Sequence, residues 1–252
     1  MSPLAVRWLI VLALLLAWEA LPRAGLVAPL FLPPLSDTVR AALGAWREYG
    51  HALLVTLGEV ALAMIIACGG GILAGAAIGS VPLLRRLLLP VLSSLYAAPL
   101  VVLYPVLTVW LGIGTASKIV FAGLYGLFPT MLATAAGIRT IDPNLLLTAR
   151  SMGASPAQRL LLVALPASLP TVLAGLRLGG ALVIVGVVVA EMLVATEGIG
   201  YLVSRYRTML DSAHVFAAVL MVLALALLFD TLIRLLEHQT RTWRLAGRAR
   251  PD

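Results

Sequence analysis

Three long stretches without a charged residue constrain the fold of this chain more than any other feature. They cover residues 60–84, 87–117 and 119–138, and about 20 apolar residues suffice for a helix to cross the ~30 Å hydrocarbon core of a bilayer. Hydrophobic residues make up 62% of the 252 positions and charged residues 12%, whereas soluble domains are about half apolar and a quarter charged. The sequence therefore predicts an all-α polytopic membrane protein and excludes a soluble fold.

Six transmembrane spans fit the apolar pattern, and we expect them to form one transmembrane domain over residues 1–252. They lie at about 4–21, 52–79, 87–111, 117–137, 171–195 and 213–236. The first stretch also resembles a signal peptide, because Arg7 precedes an apolar run. We interpret it as a retained span, since its flank has no clean small-residue cleavage site and further spans follow.

The distribution of basic residues predicts the orientation of these spans. An even number of spans places both termini on one side of the membrane. Eleven basic residues flank the spans on that side: Arg7, Arg85, Arg86, Arg139, Arg150, Arg159, Arg234, Arg241, Arg244, Arg248 and Arg250. Six flank them on the other side: Arg23, Arg40, Arg47, Lys118, Arg205 and Arg207. Because short cytoplasmic loops carry the excess of Lys and Arg, both termini are predicted to be cytoplasmic.

Small residues and prolines mark two of the spans. Gly71, Gly75 and Gly79 repeat every four residues and so share one helix face, which predicts close helix packing within the chain or with a partner. The third span contains prolines at positions 90, 99 and 105. Broken helices at membrane depth occur where they are buried in protein or line a wet cavity, so transport is a reasonable hypothesis.

The long connection at about 138–170 begins with signals for a short helix. Asp142 and Pro143 form an N-cap and first-position pair, and Gly153 suits the left-handed residue that ends a helix. The connection exceeds the 2–8 residues usual between bundle helices, which indicates a task of its own. An amphipathic element resting on lipid headgroups would explain its leucines equally well, and the residues alone leave both interpretations open.

A second helix is predicted to follow in the same connection. Ser155 and Gln158 have the spacing of a capping box, with Pro156 at the first helical position. We expect Pro166 and Pro170 to end this helix before the next span begins. The connection is therefore predicted to form a helix–turn–helix on the cytoplasmic side.

This connection resembles the EAA motif of ABC importer permeases. The motif consists of Glu-Ala-Ala, three residues, Gly, nine residues and then Ile-x-Leu-Pro. Gly153 takes the place of the central glycine, Val163 that of the isoleucine, and Leu165-Pro166 close the pattern. Ala149 matches the second alanine, whereas Leu147 and Thr148 replace the glutamate and the first alanine. The missing glutamate removes any ion pair that it makes with the ATPase in the family.

Other motifs narrow the resemblance to permeases of the nitrate, sulfonate and taurine type, and the similarity covers nearly the whole chain. The motifs are Phe31-Leu32-Pro33-Pro34, the block from Trp110 to Ile119 with Gly112, Gly114, Ser117 and Lys118, then Gly175-Leu-Arg177, Ala190-Glu191 and Gly198–Leu202. The resemblance implies a type I ABC importer fold in the bacterial inner membrane. It also implies that the permease moves a small anion delivered by a periplasmic binding protein.

In that family two permease copies pair with two ATPase subunits. We expect the two copies to be identical here. This chain has no GxxxxGK[ST] phosphate loop, so we expect no enzymatic activity, and ATP and Mg bound only by the partner ATPase. We expect no cofactor and no metal on this chain, and no nucleic-acid partner. By resemblance, the loop helix docks into a cleft of the ATPase through Leu147, Thr148, Ala149, Arg150, Gly153, Ala154 and Ser155.

Ionisable residues inside the spans are the remaining candidates, because intramembrane charges are costly enough to suggest function. Glu59 and Glu191 are predicted, with Tyr104 and Pro105, to belong to the translocation pathway or its gate. A structural hydrogen bond is the competing interpretation for both acids, and Glu59 would then be neutral. Two ionised glutamates near the outer end of the transport pathway would repel an anionic solute, which favours a structural role or a substrate that is not a simple anion. Arg177 and Asp230 lie at similar depth and are predicted to pair with each other.

Three other functions stay open from the sequence. The same complex would import a vitamin precursor, such as a thiamine pyrimidine or riboflavin, as related permeases do. An ion-coupled secondary transporter would use its own acids, although the six spans show no inverted repeat of broken helices. A membrane scaffold would show no flux.

Overall fold

The computed structural model describes residues 2–248, with side-chain placement for residue 2 and residues 5–237. Met1 and residues 249–252 lie outside the described residues. Arg250, one of the eleven basic residues predicted on the cytoplasmic side, is among them. The side chains of Arg241, Arg244 and Arg248 lie outside the described side chains.

Helices joined by short turns account for the described backbone. They are α1 (Pro3–Arg23), α2 (Leu35–Gly44), α3 (Trp46–Met64), α4 (Gly71–Ser80), α5 (Pro82–Ala97), α6 (Tyr104–Leu111), α7 (Thr115–Arg139), α8 (Pro143–Ser151), α9 (Pro156–Gln158), α10 (Leu165–Val194), α11 (Ile199–Thr208) and α12 (Ser212–Arg248). A π-helical segment, Ile65–Gly70, joins α3 to α4, and a second one, Arg159–Ala164, joins α9 to α10. A short 3₁₀ segment, Leu100–Leu103, precedes α6.

The predicted fold class is confirmed. Among the described residues, five helical stretches are long and apolar enough to cross a membrane: Ala5–Arg23, Trp46–Ser80, Thr115–Arg139, Pro156–Val194 and Ser212–Glu237. The proline-rich third span is a broken one, because Pro82–Ala97 and Leu100–Leu111 meet at an angle of 87°. Counted as one span, this bent pair makes the sixth. The break falls at Pro99, the proline that follows the end of α5 at Ala97.

The second helix of the long connection does not end at Pro166 or Pro170, contrary to the prediction. Helix continues without interruption from Pro156 to Val194, and the π-helical segment lies directly before Pro166. A π turn is wider than an α turn, so it accommodates a residue that lacks an N–H group. Prolines are tolerated in membrane helices when neighbouring groups re-satisfy the freed carbonyls.

The chain divides into two compact units. The first comprises Met1–Leu57 and Glu191–Ala224. Its core gathers apolar side chains from α3, α11 and α12, namely Tyr49, Ala52, Ile199, Leu202, Val203, Tyr206, Ala217 and Ala218. Inside this unit the Trp18 indole donates to the Pro33 carbonyl at 2.9 Å, which attaches α1 to the segment before α2.

The second unit comprises Gly58–Ala190 and Leu225–Asp252, and α4 packs on α7 at its centre. The three glycines of the four-residue repeat make this contact. A Cβ atom would lie 2.8 Å from Thr130 Cβ at Gly71, 2.4 Å from the Met131 carbonyl oxygen at Gly75 and 3.0 Å from the Ala135 carbonyl oxygen at Gly79. Because no side chain larger than hydrogen fits there, the glycine face forms helix packing within the chain, one of the two possibilities that the sequence left open.

Candidate functional site

The first candidate site is the turn after α8, in the segment expected to contact an ATPase. Asp142 caps the helix, since its carboxylate accepts the Asn144 N–H at 2.9 Å. At the other end the Gly153 N–H donates to the Arg150 carbonyl and the Ala154 N–H to the Ala149 carbonyl, both at 3.0 Å. This pair of bonds is a Schellman motif, and Gly153 has the left-handed φ of 81° that it requires. The predicted caps of α8 are confirmed.

The next turn leads directly into α9. Ser155 and Gln158 form the predicted capping box, with the Ser155 N–H donating to the Gln158 side chain at 2.8 Å and the Gln158 N–H donating to the Ser155 hydroxyl at 3.3 Å. Two caps therefore fix the path of the chain between α8 and α9. A rigid turn of this kind presents the end of α8 in one orientation.

The surface formed by the predicted docking residues of α8 combines apolar and polar side chains. Leu147 is 58% exposed and Met152 is 82% exposed, whereas Ala149 is buried. Gly153 has open space around it, since nothing lies within 4 Å of an added Cβ. Thr148, Arg150 and Ser155 are exposed too. The structure brings the predicted docking residues together at one end of α8 and in the turn that follows it.

Glu191 is the second candidate, and the structure builds it into a hydrogen-bonded turn of the first unit. Its carboxylate is 1% exposed. The Thr56 hydroxyl donates to Oε1 and the Gly200 N–H donates to Oε2, both at 2.7 Å. The Thr56 oxygen in turn accepts the Ile199 N–H at 2.9 Å. These N–H groups belong to the first turn of α11, where the helix dipole favours a negative charge.

The turn that brings Glu191 to α11 depends on Gly198. Its φ is +104°, a region that residues with a Cβ avoid, and an added Cβ would lie 2.1 Å from Glu191 Oε1. Glu191 and the Gly198–Leu202 motif of the sequence are therefore joined in one hydrogen-bonded turn. Glu191 has the structural hydrogen bonds that were the alternative to a gating role.

Glu59 has a partner that the sequence analysis missed. Glu59 and Lys118 are both buried, at 2% and 4% exposure, and Lys118 Nζ forms an ion pair with Glu59 Oε1. Lys118, which the charge count places at the outer end of a span, lies in the first turn of α7 and is buried inside the second unit. The pairing also differs from the neutral, hydrogen-bonded acid considered above.

Arg177 and Asp230 form the pair that the sequence predicts, and a third residue joins them. Arg177 Nε donates to Asp230 Oδ1 at 2.6 Å, and Arg234 Nε donates to Oδ2 at 2.8 Å. Arg177 and Asp230 are each about one-third exposed. The cluster therefore holds two guanidinium groups around one carboxylate.

Tyr104 and Pro105, the other candidates for the pathway, begin α6 immediately after the 3₁₀ segment. Tyr104 is buried, and its ring lies 5.0 Å from that of Phe121 in a cluster that includes Leu107 and Ala190. Pro105 is exposed, and its carbonyl accepts the Thr108 hydroxyl at 2.7 Å. The tyrosine thus packs in the interior of the second unit, whereas the proline lies at its surface.

A charged cluster in the first unit was not predicted. The Tyr206 hydroxyl donates to Glu48 Oε2 at 2.6 Å, and Arg205 forms an ion pair with Glu48 Oε1. Burial, together with the bond to Glu48, raises the pKa of Tyr206 to about 12, and the charge of Glu48 raises the pKa of Arg205. His214 stacks on Tyr206 with the ring centroids 4.4 Å apart. Local sequence carries no signal for this cluster, because Glu48 and Arg205 are far apart in the chain.

Comparisons with known proteins agree with this architecture. The taurine transport system permease protein of Escherichia coli K12 is 31% identical over 237 residues, which cover 91% of this chain and 86% of the relative. A putative aliphatic sulfonates transport permease protein of Bacillus subtilis 168 is 30% identical over 230 residues, covering 90% of this chain and 83% of the relative. Both similarities extend over almost the whole transmembrane domain.

A solved structure and a family model match as well. The inward-facing methionine ABC transporter MetNI superposes with a TM-score of 0.70 at 17% identity, covering 78% of this chain and 98% of that chain, which supports the fold. The model of the binding-protein-dependent transport system inner membrane component family matches residues 67–242. The chain therefore belongs to this family of inner-membrane ABC importer permeases, whose membership implies an ATPase and a substrate-binding protein as partners.

Proposed function

We propose that this chain is the permease subunit of an importer for small sulfonates, either taurine or an aliphatic sulfonate. The observation that carries the proposal is the similarity, over nine-tenths of the chain, to a taurine permease and a sulfonate permease at 31% and 30% identity. A soluble binding protein delivers the solute, and a separate ATPase hydrolyses ATP with Mg. The vitamin-precursor alternative has weaker support than the sulfonate one.

The orientation is part of the proposal. Both termini and the connection of residues 138–170 face the cytoplasm, in agreement with the excess of arginines on that side. Two identical copies form the membrane part of the complex. The first turn of α7, with Lys118, then faces the outer half of the membrane, and the turn after α8 faces the ATPase.

The end of α8 is the docking element for the ATPase in this proposal. The exposed Leu147 and Met152 supply an apolar contact, which replaces the ion pair of family members that carry the glutamate. Small residues at Gly153 and Ala154 allow a second protein to approach the turn closely, whereas Ala149, also predicted to dock, is buried within the chain. Motion of the ATPase dimer is transmitted through the continuous helix from Pro156 to Val194.

A pair of substitutions at Gly153 tests the coupling role. Gly153→Val cannot adopt the left-handed conformation, so we expect ATP hydrolysis to continue while solute uptake is lost. Gly153→Asn is the matched control for the backbone, because asparagine tolerates this conformation better than other residues with a Cβ. If close seating on the ATPase also matters, Asn will reduce uptake as well. A Val variant that imports solute at the parental rate would contradict the assignment.

Co-purification with uptake measurements tests the whole proposal. The tagged chain is purified gently from its native membrane, and its partners are identified by mass spectrometry. The expected partners are an ATPase with a phosphate loop, at about one copy per permease, and a binding protein. The complex is then placed in liposomes, and ATP-driven uptake of taurine and of an alkanesulfonate is compared with that of riboflavin and a thiamine pyrimidine. Uptake that follows an ion gradient and ignores ATP would overturn the proposal.

A further inference from the structure

Lys118 differs from every other basic residue of the chain. Of the 18 basic residues it is the single lysine, and the others are arginines. It is also buried, at 4% exposure. Arginine binds a carboxylate through a rigid fork of donors, whereas the lysine ammonium is a compact point charge that is strongly hydrated and loses its partner more readily. The one lysine side chain of the sequence is therefore the cation of the buried ion pair with Glu59.

The contacts of this pair are fewer than a buried carboxylate needs. An ionised carboxylate offers about four lone-pair sites. Among the described residues, the Lys118 ammonium is the one donor in contact with the Glu59 carboxylate, so this contact is its main compensation. Burying two charges costs several kcal/mol per ion unless further hydrogen bonds satisfy them. The pair is therefore a weak source of stability, which favours a role in function.

The helix that carries Glu59 contains a segment suited to bending. The π-helical segment Ile65–Gly70 follows α3 at once and ends in the run Gly69-Gly70-Gly71. Single π turns inside α-helices are frequent at functional sites, and glycine is the least rigid helical residue. An added Cβ at Gly69 would meet nothing within 4 Å, so packing among the described residues of this chain does not account for this glycine.

On the two sides of this segment the contacts with α7 differ in kind. On the α4 side, Gly71, Gly75 and Gly79 bring the backbone against α7 so closely that an added Cβ would meet α7 atoms at 2.4–3.0 Å. On the α3 side, Glu59 reaches α7 through a side-chain ion pair. The first contact cannot be opened without losing extensive packing, whereas the second is opened by separating two charges in the presence of water.

We propose that the Glu59–Lys118 ion pair is a releasable clasp between α3 and α7, closed in this structure and open during part of the transport cycle. Residues Gly58–Met64 swing away from α7 about the π-helical segment when it opens. Water then hydrates the ammonium and the carboxylate in the opened space, so no proton has to be transferred. Both residues position the helices of the second unit, and neither has to contact the solute.

The clasp rests on the proposed function, because its opening is assigned to the ATP-driven cycle. The purified complex with ATPase and binding protein, in liposomes, is therefore the material for its test. The first variant is the double substitution Glu59→Leu with Lys118→Met, which replaces the pair with an apolar contact that water cannot release. We expect the complex to assemble and to hydrolyse ATP, with solute uptake reduced at least about tenfold. If the ion pair only stabilises the fold and stays closed throughout the cycle, this variant should take up solute at the parental rate. That result would overturn the clasp.

The second measurement exploits the single lysine. The amine targets of a water-soluble reagent on this chain are Lys118 and the amino terminus, and mass spectrometry of the peptide around Lys118 gives its modification rate. We expect slow modification in the resting complex and at least about tenfold faster modification during turnover with ATP, Mg and loaded binding protein, because the exposed population rises. The Gly153→Val complex, which the proposed function expects to hydrolyse ATP without solute uptake, is the control and should keep Lys118 protected.

The outcomes separate the two proposals. If ATP drives uptake while Lys118 is modified at the same slow rate in every state, the clasp is wrong and the importer assignment stands. If no ATP-driven uptake occurs with any solute, the proposed function fails, and the clasp that depends on it fails too. Faster modification in the Gly153→Val control than in its resting state would also contradict the clasp, because opening would not be linked to transport.

Discussion

Glu191 and Glu59 are both buried acids, but their surroundings differ. In the first unit, Glu191 receives the Thr56 hydroxyl and the Gly200 N–H, one on each oxygen, at 2.7 Å. In the second unit, Glu59 contacts the ammonium of Lys118, and no further donor contacts its carboxylate among the described residues. Buried polar groups that are fully bonded hold one conformation, whereas poorly bonded ones are costly to keep. We infer that Glu191 fixes a turn and that Glu59 belongs to a contact built to be released.

The Gly198→Ala substitution should have the largest effect on stability. The new Cβ would lie 2.1 Å from Glu191 Oε1, and the residue would keep a φ of +104° only under strain. Backbone strain and overpacking each cost about 1–3 kcal/mol, so we expect a loss of about 2–6 kcal/mol in the free energy of unfolding. Thermal unfolding of the detergent-solubilised protein measures it. Gly25→Ala is the matched control, because Gly25 has a φ of +72° but open space around it. Equal losses in both variants would show that the carboxylate contact is unimportant.

Glu191→Gln should come next. The amide keeps one acceptor oxygen but turns its NH₂ group toward either the Thr56 hydroxyl or the Gly200 N–H, both of which donate in the parent protein. A hydrogen bond to a charged group contributes about 1.5–3 kcal/mol, and an opposed buried donor adds to that cost, so we expect a loss of about 2–4 kcal/mol. The measurement is again the thermal midpoint. An unchanged midpoint would mean that the carboxylate does not hold the turn.

The local elements of the fold were predictable from the sequence, and the long-range pairs only in part. The capped ends of α8 and the capping box of Ser155 follow from neighbouring residues, and the uncharged stretches specify the spans. The burial of Lys118 depends on Glu59 in another helix, which no local pattern encodes. Its being the single lysine was a signal that the sequence analysis did not use. Pro166 predicts a helix end that the structure does not have, because the π-helical segment before it leaves no signature in residue type.

Thr56→Val tests the same turn at the hydroxyl that bonds to Glu191, with a smaller expected effect. Valine keeps the shape of threonine but removes the hydroxyl that donates to Glu191 and accepts the Ile199 N–H at 2.9 Å. A buried N–H left without an acceptor costs about 1–3 kcal/mol, and we expect a loss in that range. Thr56→Ser retains the hydroxyl and serves as the control. Valine and serine variants that unfold at the same temperature would refute the role assigned to the hydroxyl.

The smallest change in stability should come from replacing the Glu59–Lys118 ion pair with apolar residues. In Glu59→Leu with Lys118→Met, the two groups that compensate each other are removed together, so no charge is left buried without its partner. Replacing a buried ion pair with apolar residues is often neutral or stabilising, and we expect an unfolding free energy within about 1 kcal/mol of the parent. The matched variant in the first unit is Thr56→Val with Glu191→Leu, which leaves the Ile199 and Gly200 N–H groups without acceptors and should be clearly less stable. If both double variants lose the same stability, the two acids are equivalent structural elements, and the distinction between a fixed turn and a releasable contact is wrong.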